Sequence, residues 1–317
     1  MKKILYNILA IAAFAVAFSA CSTDEVDTNN SIFVNDKTEK TEFDKWLLNN
    51  FTYPYNVEVK YRLEDIETNN SYTVTPADST KAAKIAKLVK YLWFDAYDEA
   101  IDNEFLKNYA PRQLMLVGSG MYNSNNTVIL GYATGSIKIV LTNVNELTEE
   151  TLKNADELDR LYFSTFHHEF EHILNQKVAY DRSYEEISRP DYVSGNWYQE
   201  NNEDAYRKGF VRNYAMQEAS EDIAETYADY VSYSPKRWNN IMTTAAQCKT
   251  CHGDAAKKAS CATCGGTGKG DGAQKIMDKV DLIRTYLKTS FSFDIDKLRE
   301  VVQRRNAELS TIDLDNL

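Results

Sequence analysis

The sequence predicts an α+β fold, and three observations predict it. Short segments of alternating apolar and polar residues gather in the first half of the chain. Long segments of helical periodicity fill the second half. No internal repeat is present, so strands and helices do not alternate as parallel α/β units would. The 317 residues are 43% hydrophobic and 12% aromatic, enough for a packed core in one large domain or two modest ones.

In chain order, residues 39–50 read as a helix with Phe43, Trp46, Leu47 and Leu48 on one side. Val57 to Leu63 alternates as a strand, and Ser71 to Val74 is expected to pair with it. Ala77-Asp78-Ser79 offers cap residues for a helix to about residue 101, with Ile85, Leu88, Leu92 and Trp93 apolar. Three strands follow, 113–117, 127–132 and 136–142, separated by Gly118, Gly120, Asn123, Asn125, Asn126 and Gly135. Thr148 is the expected cap of the next helix. Further helices are expected near 184–188, 217–232, 274–288 and 294–308.

The first twenty residues read as a leader rather than as fold. Lys2 and Lys3 precede an apolar run from Ile4 to Phe18, too short for a good membrane span. The leader ends Phe18-Ser19-Ala20-Cys21, which resembles a bacterial lipobox, and that resemblance implies lipidation of Cys21. The alternative is an ordinary secretory signal with an incidental Cys. Residues 21–38 are polar and acidic at their start, as a flexible tether would be, leaving 39–317 as the folded part. An acidic stretch behind such a Cys resembles the surface-export signal of Bacteroidetes lipoproteins. It implies an outer-membrane lipoprotein at the cell surface, with a periplasm-facing one as the alternative. The formal net charge of −11 argues against nucleic acid as a partner, because phosphate binding needs clustered Lys and Arg. Contact with a membrane is expected through the lipid anchor only. The 21 tyrosines suit either half-buried packing or a surface that meets peptides or sugars.

The chemistry gathers at His168-Glu169-Phe170-Glu171-His172. Two histidines four apart on a helix share one face and can share one metal ion. Glu169 lies about 100° around the helix, where it can flank the ion as a general base without ligating it. Phe163, Phe166, Phe170 and Leu174 form the apolar stripe that would anchor the helix. A catalytic zinc needs a third protein ligand and an open position. The only other histidines are His167, beside the pair, and His252, so the third ligand is expected to be a carboxylate. Ser220-Glu221-Asp222-Ile223-Ala224-Glu225 lies 49 residues downstream in a helical pattern, with Glu221 and Glu225 on one face. One can bind zinc while the other orients a ligand histidine. Such a pair standing alone would be a solvated helix face.

The two segments together resemble gluzincins, which carry His-Glu-x-x-His on one helix and Glu-x-x-x-Asp/Glu on a later one. That resemblance implies a zincin fold with a small N-terminal mixed sheet, His168, His172 and Glu221 as zinc ligands, and Glu225 as the acidic residue behind them. Among gluzincins the chain looks most like the zinc-binding metallopeptidase lipoproteins of Bacteroidetes, often found beside outer-membrane nutrient importers. Gly209-Phe210-Val211-Arg212-Asn213-Tyr214-Ala215 is a second match, and Tyr214 stands seven residues before Glu221. Anthrax-lethal-factor-like gluzincins place a catalytic Tyr at that offset; a packed core tyrosine is the alternative. By analogy of order, the strand at 136–142 would be the edge that pairs with an extended substrate.

A second cluster lies at 245–273. Cys248-Lys249-Thr250-Cys251 and Cys261-Ala262-Thr263-Cys264 are two Cys-x-x-Cys knuckles followed by glycines. Glycines there let backbone amides turn towards thiolates, which favours a structural Cys₄ zinc site. The segment resembles half of the zinc module of DnaJ-type chaperones. Disulfides are an alternative outside the cytoplasm. Cys251-His252 also completes a Cys-x-x-Cys-His haem pattern, which would make the chain a redox lipoprotein. The leading expectation is a zinc metallopeptidase, with one catalytic and one structural Zn²⁺, acting on peptides or glycopeptides outside the cell in nutrient acquisition. The main rival is a non-catalytic, zinc-stabilised accessory of an importer; Glu169 favours the enzyme, because a structural site needs no base.

Overall fold

The computed structural model describes residues 39–64, 71–123, 128–134 and 137–316. The leader, the tether and Cys21 lie outside the described residues. The chain divides into two units, 1–40 and 41–317. The second carries every element below, and among the described residues no helix is long and apolar enough to cross a membrane.

The expected first helix forms as α1 (Glu42–Leu47), started by a reciprocal Thr41–Asp44 capping box. It runs through a π-turn to Tyr55 and stops at Asn56, whose φ of 55° is left-handed. Strand β1 (Glu58–Lys60) follows, shorter than its 57–63 pattern. Asp78 caps α2 (Ser79–Val89), which continues through the π-turn Lys90–Phe94 into α3 (Asp95–Ala100), the long helix expected there. After α4 (Phe105–Tyr109) come β2 (Gln113–Leu116), the short pair β3 (Met121–Tyr122) and β4 (Val128–Ile129), then β5 (Gly131–Thr134) and β6 (Lys138–Leu141).

The main sheet has the order β1-β2-β6-β5. The first three strands run parallel and β5 lies antiparallel to β6. Period-two alternation divides the sheet's faces. Leu114, Leu116, Ile139 and Leu141 enter the main core, whereas Met115, Val117 and Val140 pack with Met121 on the other side.

Three strand expectations change. The strand expected at 127–132 divides at Leu130 into β4, which pairs with β3, and β5, which joins the main sheet. Residues 71–74 form no strand; Thr75 and Pro76 reach the sheet instead, at Gly118 and Val117 beyond the end of β2. Pro76 has no N–H to extend a ladder, so the contact remains a single bridge. The strand at 136–142 is not an edge, since β6 is held between β2 and β5. Among the described residues the edges are β1 and β5, and β5 is the one that packs against the helix at Ser164–Lys177.

The His-bearing helix starts later than the expected Thr148 cap would place it and has another cap. Thr148 accepts from Thr151 N and caps only the turn Thr151–Lys153. Asn154 accepts from Glu157 N at 3.2 Å and opens α5 (Ala155–Leu158). The π-turn Asp159–Phe163 joins α5 to α6 (Ser164–Lys177), the helix with His168 and His172. Such insertions re-aim helix faces and recur at functional sites. α6 is anchored as its apolar stripe predicts, with Phe170 against Trp93 at 5.1 Å and Tyr97 at 5.3 Å between ring centres.

The remainder is helical: α7 (Ser183–Ser188), α8 (Asn202–Lys208), α9 (Ala219–Ser232), α10 (Pro235–Ala245), α11 (Gly272–Phe291) and α12 (Ile295–Ala307). The expected helices at 184–188, 217–232, 274–288 and 294–308 are present; α8 and α10 are additions. The cysteine segment sits between α10 and α11. The α+β class, with a small mixed sheet followed by helices, is the one predicted.

Replacing Asn154 by Ala should remove about 1 kcal/mol of stability, the usual value of an N-cap. Thermal denaturation should then shift down by roughly 2–4 °C. A change as small as that from a neutral surface substitution would show that the cap does not start this helix.

Candidate metal and catalytic site

α9 packs along α6, and the two helices bring together residues that the sequence separates. His168 and His172 present Nε2 to the same point, 3.1 Å apart. Glu221 Oε2 stands 3.2 Å from the first and 3.5 Å from the second. Ligand atoms held about 2.05 Å from a tetrahedral ion stand about 3.3 Å apart, so the triangle has the size for zinc with N and O ligands.

The protons support the same fit. His168 Nδ1 lies 3.0 Å from Glu225 Oε1, a separation that favours the N–H on that nitrogen and leaves Nε2 facing His172 and Glu221. Glu221 Oε2 is buried without a hydrogen-bond partner among the described residues. Two imidazole nitrogens and a carboxylate oxygen this close need a proton or a metal cation between them. Burial opposes a charged His168, yet Glu225 and Glu221 outweigh it and raise the ring to about 10. Burial would likewise raise the Glu221 carboxyl, but the histidines hold it well below the usual range. The field that favours a proton here also favours a divalent cation.

Glu169 lines a cavity of about 280 Å³ with Gly131, Tyr132, Thr165 and Tyr214. Burial pushes its carboxyl up, partly offset by His168, His172 and a hydrogen bond from the Ala133 amide of β5. Tyr214 is also at the site, with its ring 6.1 Å from that of His168 and 4.9 Å from Trp197. Burial and the Glu221 carboxylate beside it push the phenol up, so Tyr214 keeps its proton as a donor. All the motif residues therefore converge: His168, Glu169, His172, Tyr214, Glu221 and Glu225.

Three contributors escape the motifs. Arg212 places Nε 2.7 Å from Glu225 Oε2 and also reaches Asp229, Ser164 and Tyr233. Glu171 is buried, with Oε2 4.0 Å from His172 Nδ1, and burial raises it to about 7. Ala133 contributes only backbone, which no side-chain pattern reveals. For Glu171 a signal existed: a carboxylate at an apolar-flanked position beside a ligand histidine. His167 turns into the core, 2.9 Å from the Tyr97 hydroxyl, and burial lowers it to about 3.

The four cysteines also meet. Cys248 and Cys261 Sγ are 3.8 Å apart and Cys251 and Cys264 Sγ 3.7 Å, with all four within 4.8 Å of one another. Tetrahedral Zn–S bonds of about 2.3 Å require about 3.8 Å between sulfurs. A disulfide requires about 2.05 Å, so the geometry fits the metal and not the disulfides. Thr250 N donates to Cys248 Sγ and Gly268 N to Cys264 Sγ, helped by positive φ at Gly253 and Gly268. His252 points away to Asp204 at 3.6 Å. With both cysteines of the first pair turned to the second, the haem pattern finds no support.

A family model described as "Putative zinc-binding metallo-peptidase" matches residues 36–296, a span holding both clusters. A crystal structure from Bacteroides caccae, described as "a putative zinc-binding metallo-peptidase", is similar with a TM-score of 0.71 and 36% identity. The match covers 90% of this chain and 99% of that one. No curated protein matches.

Glu225→Ala should weaken zinc binding about 10- to 100-fold, the usual cost of losing a carboxylate behind a ligand histidine. Chelator competition measures it, with circular dichroism reporting the fold. Unchanged affinity would remove Glu225 from the site.

Proposed function

We propose a function from one premise: the chain belongs to the family of zinc-binding metallo-peptidases whose model it matches. The reading is a zinc-dependent peptidase with His168, His172 and Glu221 as the metal's protein ligands. One observation carries it: three potential ligand atoms converge within 3.5 Å beside the Glu169 carboxylate in a cavity.

A zinc ion bound there supplies a Lewis acid that acidifies water and polarises a carbonyl. Glu169 takes the proton from the attacking water and hands it to the leaving nitrogen. Its raised pKa suits both halves of that transfer. Tyr214, protonated and beside Glu221, donates to the developing oxyanion. Edge strand β5 accepts the substrate as an added strand, and the Ala133 N–H, turned away from β6 towards Glu169, marks the side on which it would lie.

The N-terminal sequence supports the rest of the proposal: lipidation at Cys21 and display at the outer membrane, with peptides or glycopeptides as substrates in nutrient acquisition beside an importer. The Cys248, Cys251, Cys261 and Cys264 cluster is proposed to hold a second, structural zinc.

Glu169→Gln should lower kcat about 10²- to 10⁴-fold on a peptide mixture, the range of a lost general base, while zinc stays bound. Peptidase activity equal to wild type would exclude Glu169 as the base; zinc binding with no activity in either protein would favour the accessory reading. In Glu221→Ala, metal analysis should fall from about two zinc ions per chain to about one. Protease shaving of intact cells tests display: full protection until the outer membrane is opened would place the protein inside.

A further inference from the structure

We propose that the cysteine cluster acts on the catalytic site from a distance, by seating α8, which in turn positions Tyr214. This inference rests on the roles proposed above for Tyr214 and the two zinc ions.

The cluster closes residues 246–270 into a loop. Cys248 N donates to Gly268 O and Gly270 N to Ala246 O, both at 2.9 Å, while Gln247 and Lys269 form a bridge. α10 ends at Ala245 and α11 starts at Gly272, so the closed loop fixes the gap between these two helix ends. α8 lies against that gap. A Cβ added to Gly272 would stand 2.5 Å from Tyr206 O and 2.7 Å from Arg207 O, both in α8, and 2.7 Å from Ala245 O.

Three side chains of the first knuckle reach the arm between α7 and α9. Gln247 Oε1 accepts from Arg207 Nη2 at 3.1 Å and Nε at 3.3 Å. Lys249 Nζ lies 3.7 Å from Asp191, and His252 Nε2 lies 3.6 Å from Asp204. α8 has seven residues, well short of the roughly 12–15 at which a helix begins to hold itself in water. Its position therefore depends on these neighbours.

The other end of α8 holds the backbone beside Tyr214. Asn202, the first residue of α8, accepts the Asn213 N–H at 2.9 Å, and Asn213 Nδ2 donates to Glu200 O at 2.9 Å. Between these anchors the chain turns at Gly209, whose φ is 94° and whose carbonyl accepts from Lys279 of α11 at 2.7 Å. Cluster, Arg207, α8, Asn213 and Tyr214 thus form one mechanical series.

The test uses the zinc-loaded protein and two variants. Cys261→Ser breaks the cluster; Gln247→Ala leaves it whole and removes the Arg207 contact. Hydrogen exchange at residues 200–217 should quicken about tenfold or more in Cys261→Ser, and less in Gln247→Ala, with α2 and α6 unchanged. One zinc should remain, held by His168, His172 and Glu221. On labelled casein, Cys261→Ser should lower kcat about tenfold with KM within about twofold. Against a Tyr214→Phe background the further loss should stay under about twofold, because coupled residues are not additive. Unchanged exchange at 200–217, or equal factors in both backgrounds, would overturn the inference. If Cys261→Ser does not fold, exchange in Gln247→Ala decides. If wild type is as inactive as Glu169→Gln, the peptidase reading fails while exchange still decides this one.

Discussion

His168 Nε2, His172 Nε2 and Glu221 Oε2 stand within 3.5 Å of one another with lone pairs directed inward. Such an arrangement repels itself until a proton or a metal cation enters, so the rest of the molecule must hold it in place. The burden falls on the contact between α6 and α9. α9 meets α6 through Tyr227, whose ring lies 6.1 Å from that of His167, and through Asp229, which accepts from Ser164 Oγ at 3.2 Å, while Phe166 and Phe170 hold α6 against Trp93. Both helices owe the site to the same period: residues four apart share a face, which pairs His168 with His172 and Glu221 with Glu225.

Behind the ligands the charges form a buried series. Glu225 faces His168, Arg212 faces Glu225, and Asp229 accepts from the same Arg212 Nε at 3.2 Å. Removing these groups from water is costly, and their mutual attraction offsets it only where geometry is good and remaining hydrogen bonds are met. Ser164 and Tyr233 meet Arg212, and Arg237 donates to the Tyr233 hydroxyl at 2.7 Å. The result is a histidine that cannot rotate, because the carboxylate behind it is itself held by an arginine with fixed partners. Rigidity of this kind keeps a tetrahedral site ready for its metal.

What the sequence revealed follows from which facts are periodic. Ligand spacing within a helix is local and fixed at 3.6 residues per turn, so His168, His172, Glu221 and Glu225 were legible as a set, and Glu169 with them. The cysteine knuckles were legible because a tetrahedral thiolate site imposes short spacing. Strand order is not local: nothing in 136–142 tells whether another strand covers it, and β5 does. The cap at Asn154 was obscured by Thr148, a valid cap for a different turn. Arg212 went unseen because its partners, Ser164 on α6 and Glu225, Asp229 and Tyr233 along α9 and its C-cap, meet it only after folding.

Asp222 shows why neighbouring carboxylates on α9 take different tasks. It follows Glu221 directly, so helical geometry turns it about 100° away from the metal face. There it meets Lys279 of α11 at 2.6 Å, with both side chains fully buried, and it accepts from the Tyr192 hydroxyl at 2.8 Å. The same ammonium donates to Gly209 O and lies 4.0 Å over the Phe210 ring. Breaking one partner of a buried pair leaves a charge without compensation, at a cost of about 3–5 kcal/mol. Lys279 therefore locks the rotation of α9 about its axis, and that rotation decides where Glu221 points. The lysine touches no ligand, yet it joins the carboxylate helix, the turn before Tyr214 and the helix that leaves the cysteine cluster. One buried ammonium thus couples the orientation of the Glu221 carboxylate to the packing of α11 and the turn at Gly209.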